Sequence, residues 1–330
     1  MPLLQINAGP DGPRLHGAAQ ALLPTLRTAL RVPGPIIVMI HGYKFAPGHA
    51  QSCPHQLILS LRPRRATWKV KSWPRALGFG VGNCKEGLAI AFGWSARGTI
   101  WQAYQQAEMA GLCLSDLIAM IQQIAPHKPV HMVAHSLGAR VALGALPHVK
   151  PGSVGRSILL NGAEFGACAR MAVDSPAGRL AEVINVTTRE NDVFDFLLER
   201  LIRAPETGDR SLAQTLPVRA NTLTVQLDHP GTIAMLSDLG FSIAPGRARV
   251  CHWSTYLRDG LFEFYSSLLR CPDGHSIAAL RAKLPDAPDP RWSRVLSLPD
   301  LRLPSFAAWT TPGSQTSPSS RGMTSNTINQ

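Results

Sequence analysis

The stretch PVHMVAHSLGARVALGAL at 129–146 decides how the chain is read. Its first half is apolar and partly β-branched, its second half is rich in Ala and Leu, and His135-Ser136-Leu137-Gly138 lies between them. That pattern describes a buried strand, a sharp turn and a helix. A serine on such a turn presents its hydroxyl at a helix N-terminus, the context in which a G-x-S-x-G-like match carries meaning. Small residues two before and two after the serine let the backbone pass closely. Here they are Ala134 and Gly138, with Ala134 at a position usually held by Gly. Ser136 is the candidate nucleophile. The N–H of Leu137, at the opening of the helix, is a candidate oxyanion donor. The plainer reading is a serine that only caps a helix.

A lone serine hydroxyl is a poor nucleophile and needs a base with an orienting group. In folds with this turn the chain order is serine, then acid, then histidine. EVINVT at 182–187 reads as a strand, and Thr188-Arg189-Glu190-Asn191-Asp192 follows it. Asp192 is the candidate acid, although it also suits the first turn of a helix. Glu190, Asp195 and Glu164 compete with it. His252, in CHWSTYLRDGLFEFYSSLL ahead of an amphipathic pattern at 255–269, is the candidate base; His229 in LDHPG is the alternative. PIIVMIHG at 35–42 reads as another buried strand. Gly42 after it lets the chain turn inward and present the N–H of Tyr43 as a second oxyanion donor.

The remaining text alternates in the same way. GLAIAFGW at 87–94, SILL at 157–160 and 222–227 read as strands. A helix is predicted over 101–125, where Tyr104, Ala107, Gly111, Leu114, Ile118, Ile121 and Ala125 share one stripe and Pro126 stops it. A further helix is expected at 193–202 and a weaker helical pattern at 49–61. Strand–helix alternation from about 35 to 270 argues for an α/β chain with a mostly parallel sheet covered on both faces. Residues 1–283 read as the catalytic-type domain and 284–310 as a Pro-rich extension. Residues 311–330, polar and low in complexity, read as a disordered tail. Trp94, Trp101 and Trp253 lie beside the motif loops and are candidates to line an apolar substrate pocket, with core packing as the plainer role. The connections 63–86 and 229–250 are long enough to cover a site.

Apolar residues make up 45% of the 330 residues, enough for a sizeable core, so a wholly disordered chain is excluded. No run approaches the roughly 20 apolar residues of a membrane span. The N-terminus lacks a basic stretch followed by an apolar one, and a cytoplasmic protein is expected. The net charge of +12 invites an anionic partner. The cations are scattered, however, and nucleic acid is not expected. They are densest in RPRRATWKVKSWPR at 62–75, which carries six cations and two Trp and reads as a loop. Six cysteines form no CxxC pair and are expected to be reduced. Without HExxH or finger-type Cys/His spacing, no metal is expected, and no cofactor. The oligomeric state is not readable.

With these pieces in order, the chain resembles the α/β-hydrolases, and within them a bacterial family of serine hydrolases of the DUF900 type. The matching pieces are IHGY at 40–43, GWSARG with Tyr104 and Ala107 in the next helix, and HMVAHSLGARVAL. Asn191-Asp192 after a strand and His252 with Tyr256 before the last helix complete the set. The likeness spans roughly 33–270. Family members often carry HGYN, and Lys44 stands at the Asn position. The resemblance implies the α/β-hydrolase fold and hydrolase chemistry and leaves the substrate open. The residues themselves read as a serine hydrolase acting on a small-molecule or lipid ester, with Ser136, His252 and Asp192 as its triad. The competing reading is a catalytically silent module of the same fold that binds a partner through the basic loop.

Overall fold

In the computed structural model, residues 3–18, 20–64, 67–246 and 248–296 are described. Eight strands form one sheet: β1 (Leu3–Gly9), β2 (Gly12–Leu15), β3 (Ile36–Ile40), β4 (Leu88–Gly93), β5 (Val130–His135), β6 (Val154–Leu160), β7 (Glu182–Thr187) and β8 (Thr222–Gln226). Their spatial order is β2-β1-β4-β3-β5-β6-β7-β8. Only β2 runs antiparallel, hairpinned to β1. Seven helices of eight or more residues accompany the sheet among the described residues: α1 (Leu22–Ala29), α2 (Ile100–Ile124), α3 (Gly138–Ala145), α4 (Gly166–Asp174), α5 (Asp192–Leu201), α6 (Pro230–Asp238) and α7 (Leu261–Arg270).

Alternation along the central strands divides the core into two layers. Ile36, Val38 and Ile40 of β3 point into one, with Leu114 and Ile118 of α2 and Val141 of α3. Ile37 and Met39 point into the other, with Phe264 and Leu268 of α7. Both faces of these strands are buried, so they read as continuous apolar runs, as central parallel strands do. Helix α2 is secured at its start by a capping box, Thr99 with Gln102. It crosses α3 closely at Gly111, where an added Cβ would lie 3.2 Å from the Val141 carbonyl oxygen.

The structure departs from the sequence reading in four places. The weak helical pattern at 49–61 yields only the three-residue 3-10 turn Pro54–Gln56. The amphipathic pattern at 255–269 is broken into Ser254–Leu257 and α7, because Gly260 takes φ +87° and passes against the Ser242 carbonyl. The β1–β2 hairpin was not expected. The long connection at 229–250 contains α6.

Residues 284–296 belong to the compact unit, which runs to Leu296. Asp289 N–H donates to Gln226 Oε1 at 2.9 Å and Arg291 pairs with Glu199 at 2.9 Å. The remainder of the expected extension and the expected disordered tail lie outside the described residues. No helix among the described residues is long and apolar enough to cross a membrane.

Candidate active site

Ser136 sits between the end of β5 and the start of α3 with φ +55°, a left-handed conformation that costs a non-glycine residue energy. The turn holds that conformation by its surroundings. Ser136 N–H donates to Leu160 O at 3.1 Å, and Ser136 O accepts from Ala139 N–H and Ala163 N–H, each at 2.9 Å. Two glycines make room. A Cβ on Gly138 would lie 2.7 Å from the carbonyl oxygens of Ile40 and His41, and a Cβ on Gly42 would lie 2.7 Å from Ser136 Cβ. The β3 loop and the Ser136 turn are thus in direct backbone contact. The Ala134 methyl is fully buried and tolerated.

The loop after β3 is braced from behind by His41. Its Nδ1–H donates to Gly42 O at 2.9 Å, its Nε2 accepts from Trp94 N–H at 3.1 Å, and Trp94 Nε1–H donates to His41 O at 3.0 Å. The rings of His41 and Trp94 stack at 5.5 Å. Burial holds the His41 imidazole neutral, its pKa pushed down to about 4. Trp94, expected as a pocket residue, is therefore core behind the loop and does not line the cavity.

A cavity of about 420 Å³ opens at this point. Ser136, Leu137, Tyr43, His252 and Asn191 line it, and Phe194, Leu197, Leu198 and Leu201 of α5 form an apolar wall. Among the described residues, no backbone or side-chain acceptor takes the N–H of Tyr43 or of Leu137. Trp253, a pocket candidate from the sequence, lines the cavity. Trp101 does not. It stands exposed beside the mouth, its Nε1–H donating to Leu201 O at 2.6 Å.

The acid side of the site differs from the sequence expectation. His252 Nδ1 meets Asn191 Oδ1 at 2.6 Å. Asp192, the next residue, is turned away: its Oδ2 accepts from Trp292 N–H at 2.7 Å and its Oδ1 lies 3.3 Å from Arg189. Asp192 is thus a buried anchor for the 284–296 segment and the Arg189 guanidinium, and Asn191 stands where the acid was expected. An amide oxygen only accepts, so Asn191 fixes the proton on Nδ1 and leaves the His252 Nε2 lone pair free. Asp195, one turn further along α5, lines the cavity and is buried. Burial, then the neighbouring Asp192 carboxylate, push its pKa up to about 7, while a hydrogen bond from Asn191 works the other way.

The competitors are engaged elsewhere. Glu164 accepts from Tyr104 Oη at 2.5 Å and from Arg140 at 2.6 Å. Glu190 pairs with Arg294 at 3.2 Å. His229 caps α6, its Nδ1 accepting from Gly231 N–H at 3.0 Å.

Two residues that the sequence reading missed hold His252 in place. His135 Nε2 and Asn161 Nδ2 both donate to the His252 backbone carbonyl, each at 3.0 Å. The Phe194 ring stacks on His252 at 4.6 Å. Burial first, then the His135 ring and the Lys69 ammonium, hold the His252 pKa well below its ordinary value. No group of three or more His, Cys, Asp or Glu among the described residues is placed to hold a metal ion. The six cysteines are free.

Sheet order, the strained serine turn and the helices around them define the α/β-hydrolase fold. Residues 20–154 match the model of a family described as alpha/beta hydrolase of unknown function, DUF900. That stretch contains Gly42 and Ser136 and stops short of Asn191 and His252. No curated protein sequence matches the chain. Among solved structures it is similar to the Bacillus licheniformis lipase BlEst2 in its propeptide form, at 12% identity and TM-score 0.40, covering 72% of this chain and 50% of that one. The Pyrococcus horikoshii acylaminoacyl peptidase matches at 10% identity and TM-score 0.31, over 78% and 38%. The Trichoderma reesei cutinase in complex with a C11Y4 phosphonate inhibitor matches at 10% identity and TM-score 0.26, over 76% and 87%. The chain therefore spans half of the lipase's length and 38% of the peptidase's.

Proposed function

We propose that the chain is a serine hydrolase that cleaves carboxylic esters with an apolar acyl group through an acyl-enzyme. The observation that carries this reading is Ser136 at φ +55° facing the same cavity as a His252 whose Nδ1 is tied to Asn191. In the scheme, Ser136 Oγ attacks the ester carbonyl while His252 Nε2 takes its proton. The N–H groups of Tyr43 and Leu137 hold the oxyanion. The C–O bond to the leaving alcohol breaks as the proton passes from Nε2 to the leaving oxygen. Water, deprotonated by the same nitrogen, then releases the carboxylic acid and restores Ser136. No cofactor enters the scheme.

Asn191 replaces Asp192 in the orienting role. A Cys-His-Asn arrangement is a known variant of this logic. Asn191 orients the ring without supplying charge, and Asp195 behind it is a carboxylate that accepts a hydrogen bond from it. The apolar wall of α5 supports an acyl chain rather than a polar group as the occupant.

A fluorophosphonate probe tests the reading, because only an activated serine is labelled. Labelling of the full chain and its loss in Ser136→Ala are expected, with esterase activity on a panel of p-nitrophenyl esters falling on the order of 10³-fold or more. An unlabelled wild-type chain would instead favour a silent binding module.

A further inference from the structure

The basic, Trp-bearing loop at 62–75 has no part in the proposed chemistry, yet the structure brings it to the rim of the cavity. Lys69 Nζ lies 3.3 Å over the ring of Trp253, which lines the cavity, and Trp68 meets the same ring edge-on at 6.1 Å. Lys44 lines the cavity from the other motif loop and is exposed. Around the same opening stand apolar side chains in water: Trp68 is 70% exposed, Trp101 53%, Leu197 44% and Leu201 41%. Leu197 and Leu201 line the cavity, and Trp101 is bonded to Leu201 O, so these groups surround one mouth. Large exposed Trp and Leu side chains interleaved with Lys are ordinary for a surface that meets headgroups and acyl chains together, and unusual for a free aqueous surface.

We propose that the rim formed by Lys44, Trp68, Lys69, Trp101, Leu197 and Leu201 docks on an anionic lipid surface, and that the cavity draws the acyl chain of a lipid ester from it. Charge selects the occupant. A chain of net charge +12 is attracted to an anionic bilayer, and the two rim lysines lie where headgroup phosphates would meet them. The apolar side chains supply the part of the contact that salt does not screen, and they point at the opening through which an acyl chain enters. The docking stands on the rim itself. The choice of a lipid ester as substrate rests on the hydrolase reading above.

The test is flotation of the full chain, carried as Ser136→Ala so that no lipid is consumed, with vesicles of phosphatidylcholine alone and of phosphatidylcholine with phosphatidylglycerol. Binding to the mixed vesicles is expected, with little to the neutral ones and loss in high salt. Lys69→Gln should lower partitioning about fivefold, the effect of one surface cation, and Trp68→Ser with Leu197→Ser should lower it at least as much. Melting midpoints report that the variants fold. Equal binding to both vesicle types, no binding, or variants that bind like the parent chain would overturn the proposal. So would self-association of the parent chain that is lost in Leu197→Ser, which would assign the surface to a second copy. Fluorophosphonate labelling of the wild-type chain in vesicle-free buffer is scored separately: labelling without docking refutes the rim, and docking without labelling refutes the chemistry.

Discussion

Substituting Gly42 by Ala perturbs the contact on which the site depends. The added Cβ would stand 2.7 Å from Ser136 Cβ and 2.8 Å from His135 O. Non-bonded carbons prefer roughly 3.5–4.0 Å, so the overlap is about 1 Å. The Gly42 side cannot yield easily, since Gly42 O is held by His41 and the next turn is tied through Lys44 N–H to Ala96 O at 2.8 Å. The yielding side is therefore the serine turn. A displacement of that size at a reacting atom costs about 10²-fold in rate, and the overpacking costs about 1–3 kcal/mol of stability. The assay is the second-order rate of fluorophosphonate labelling, measured beside the melting midpoint. Gly48→Ala is the control for backbone strain without contact: unlike Gly42, Gly48 has a positive φ of 79°, and an added Cβ there meets nothing within 4 Å. Its strain lowers stability without touching the serine. A Gly42→Ala protein that labels at the wild-type rate with an unchanged midpoint would refute the claim that Gly42 backs the nucleophile.

Three further outcomes are expected. Asn191→Ala should slow labelling by one to three orders of magnitude, roughly the range of a lost orienting contact, whereas Asp192→Asn should act mainly on stability, read from labelling and midpoint together. Because burial holds His252 neutral, the acid limb of the labelling rate should lie well below pH 6.5, and a limb at the ordinary histidine position would show a solvated ring. His41, His131 and His135 are held neutral by burial, each with its pKa pushed down to about 4, so the unfolded chain binds more protons below 6.5. Stability should then be fully present above 6.5 and lost as pH falls toward 4, by up to about 1.4 kcal/mol per pH unit for each ring, as urea titrations across that window will register.

Asp195 works in the opposite sense and separates two roles of one side chain. Its folded pKa, about 7, is above the 3.8 of an ordinary aspartate, so the folded chain holds a proton that the unfolded chain has released. Folding is therefore penalised progressively as pH rises from 3.8 through about 7. Asp195→Asn removes that penalty and should raise the melting midpoint more above about pH 7 than near pH 5. The same substitution removes the carboxylate beside Asn191 and should slow labelling in the wild-type background. A stability gain without any slowing would leave Asn191 as an orienter that needs no charge behind it.

How much of this was legible beforehand follows from the range of the interactions concerned. The serine turn, the strands around it and His252 were readable because their signals are local: an apolar run, small residues at fixed offsets, a strand followed by a turn. The β1–β2 hairpin was not, because two short strands at a sheet edge carry little periodicity and are fixed by pairing with β4, some eighty residues away in sequence. The break at Gly260 was equally hidden, since the hydrophobic stripe continues through it and the cause is contact with the Ser242 backbone.

The exchange of Asn191 for Asp192 is the sharpest case. One residue along a helix turns a side chain by roughly 100°, so two adjacent residues at the start of α5 cannot face the same ring. Chemistry favours the carboxylate as partner of an imidazole, and the sequence offers one. Which of the two faces His252 is decided by what claims the other: Trp292 N–H, a hundred residues on, and Arg189, whose guanidinium is buried beside it. A buried backbone donor needs an acceptor and a buried cation needs a counter-charge, and Asp192 supplies both, through Oδ2 to Trp292 N–H and through Oδ1 3.3 Å from Arg189. With the charge committed there, the residue left to the histidine is the amide, which still fixes the tautomer. The charged partner expected at the imidazole is thus used to fasten the segment after residue 284, and the polarity behind Asn191 falls to Asp195 in the cavity wall.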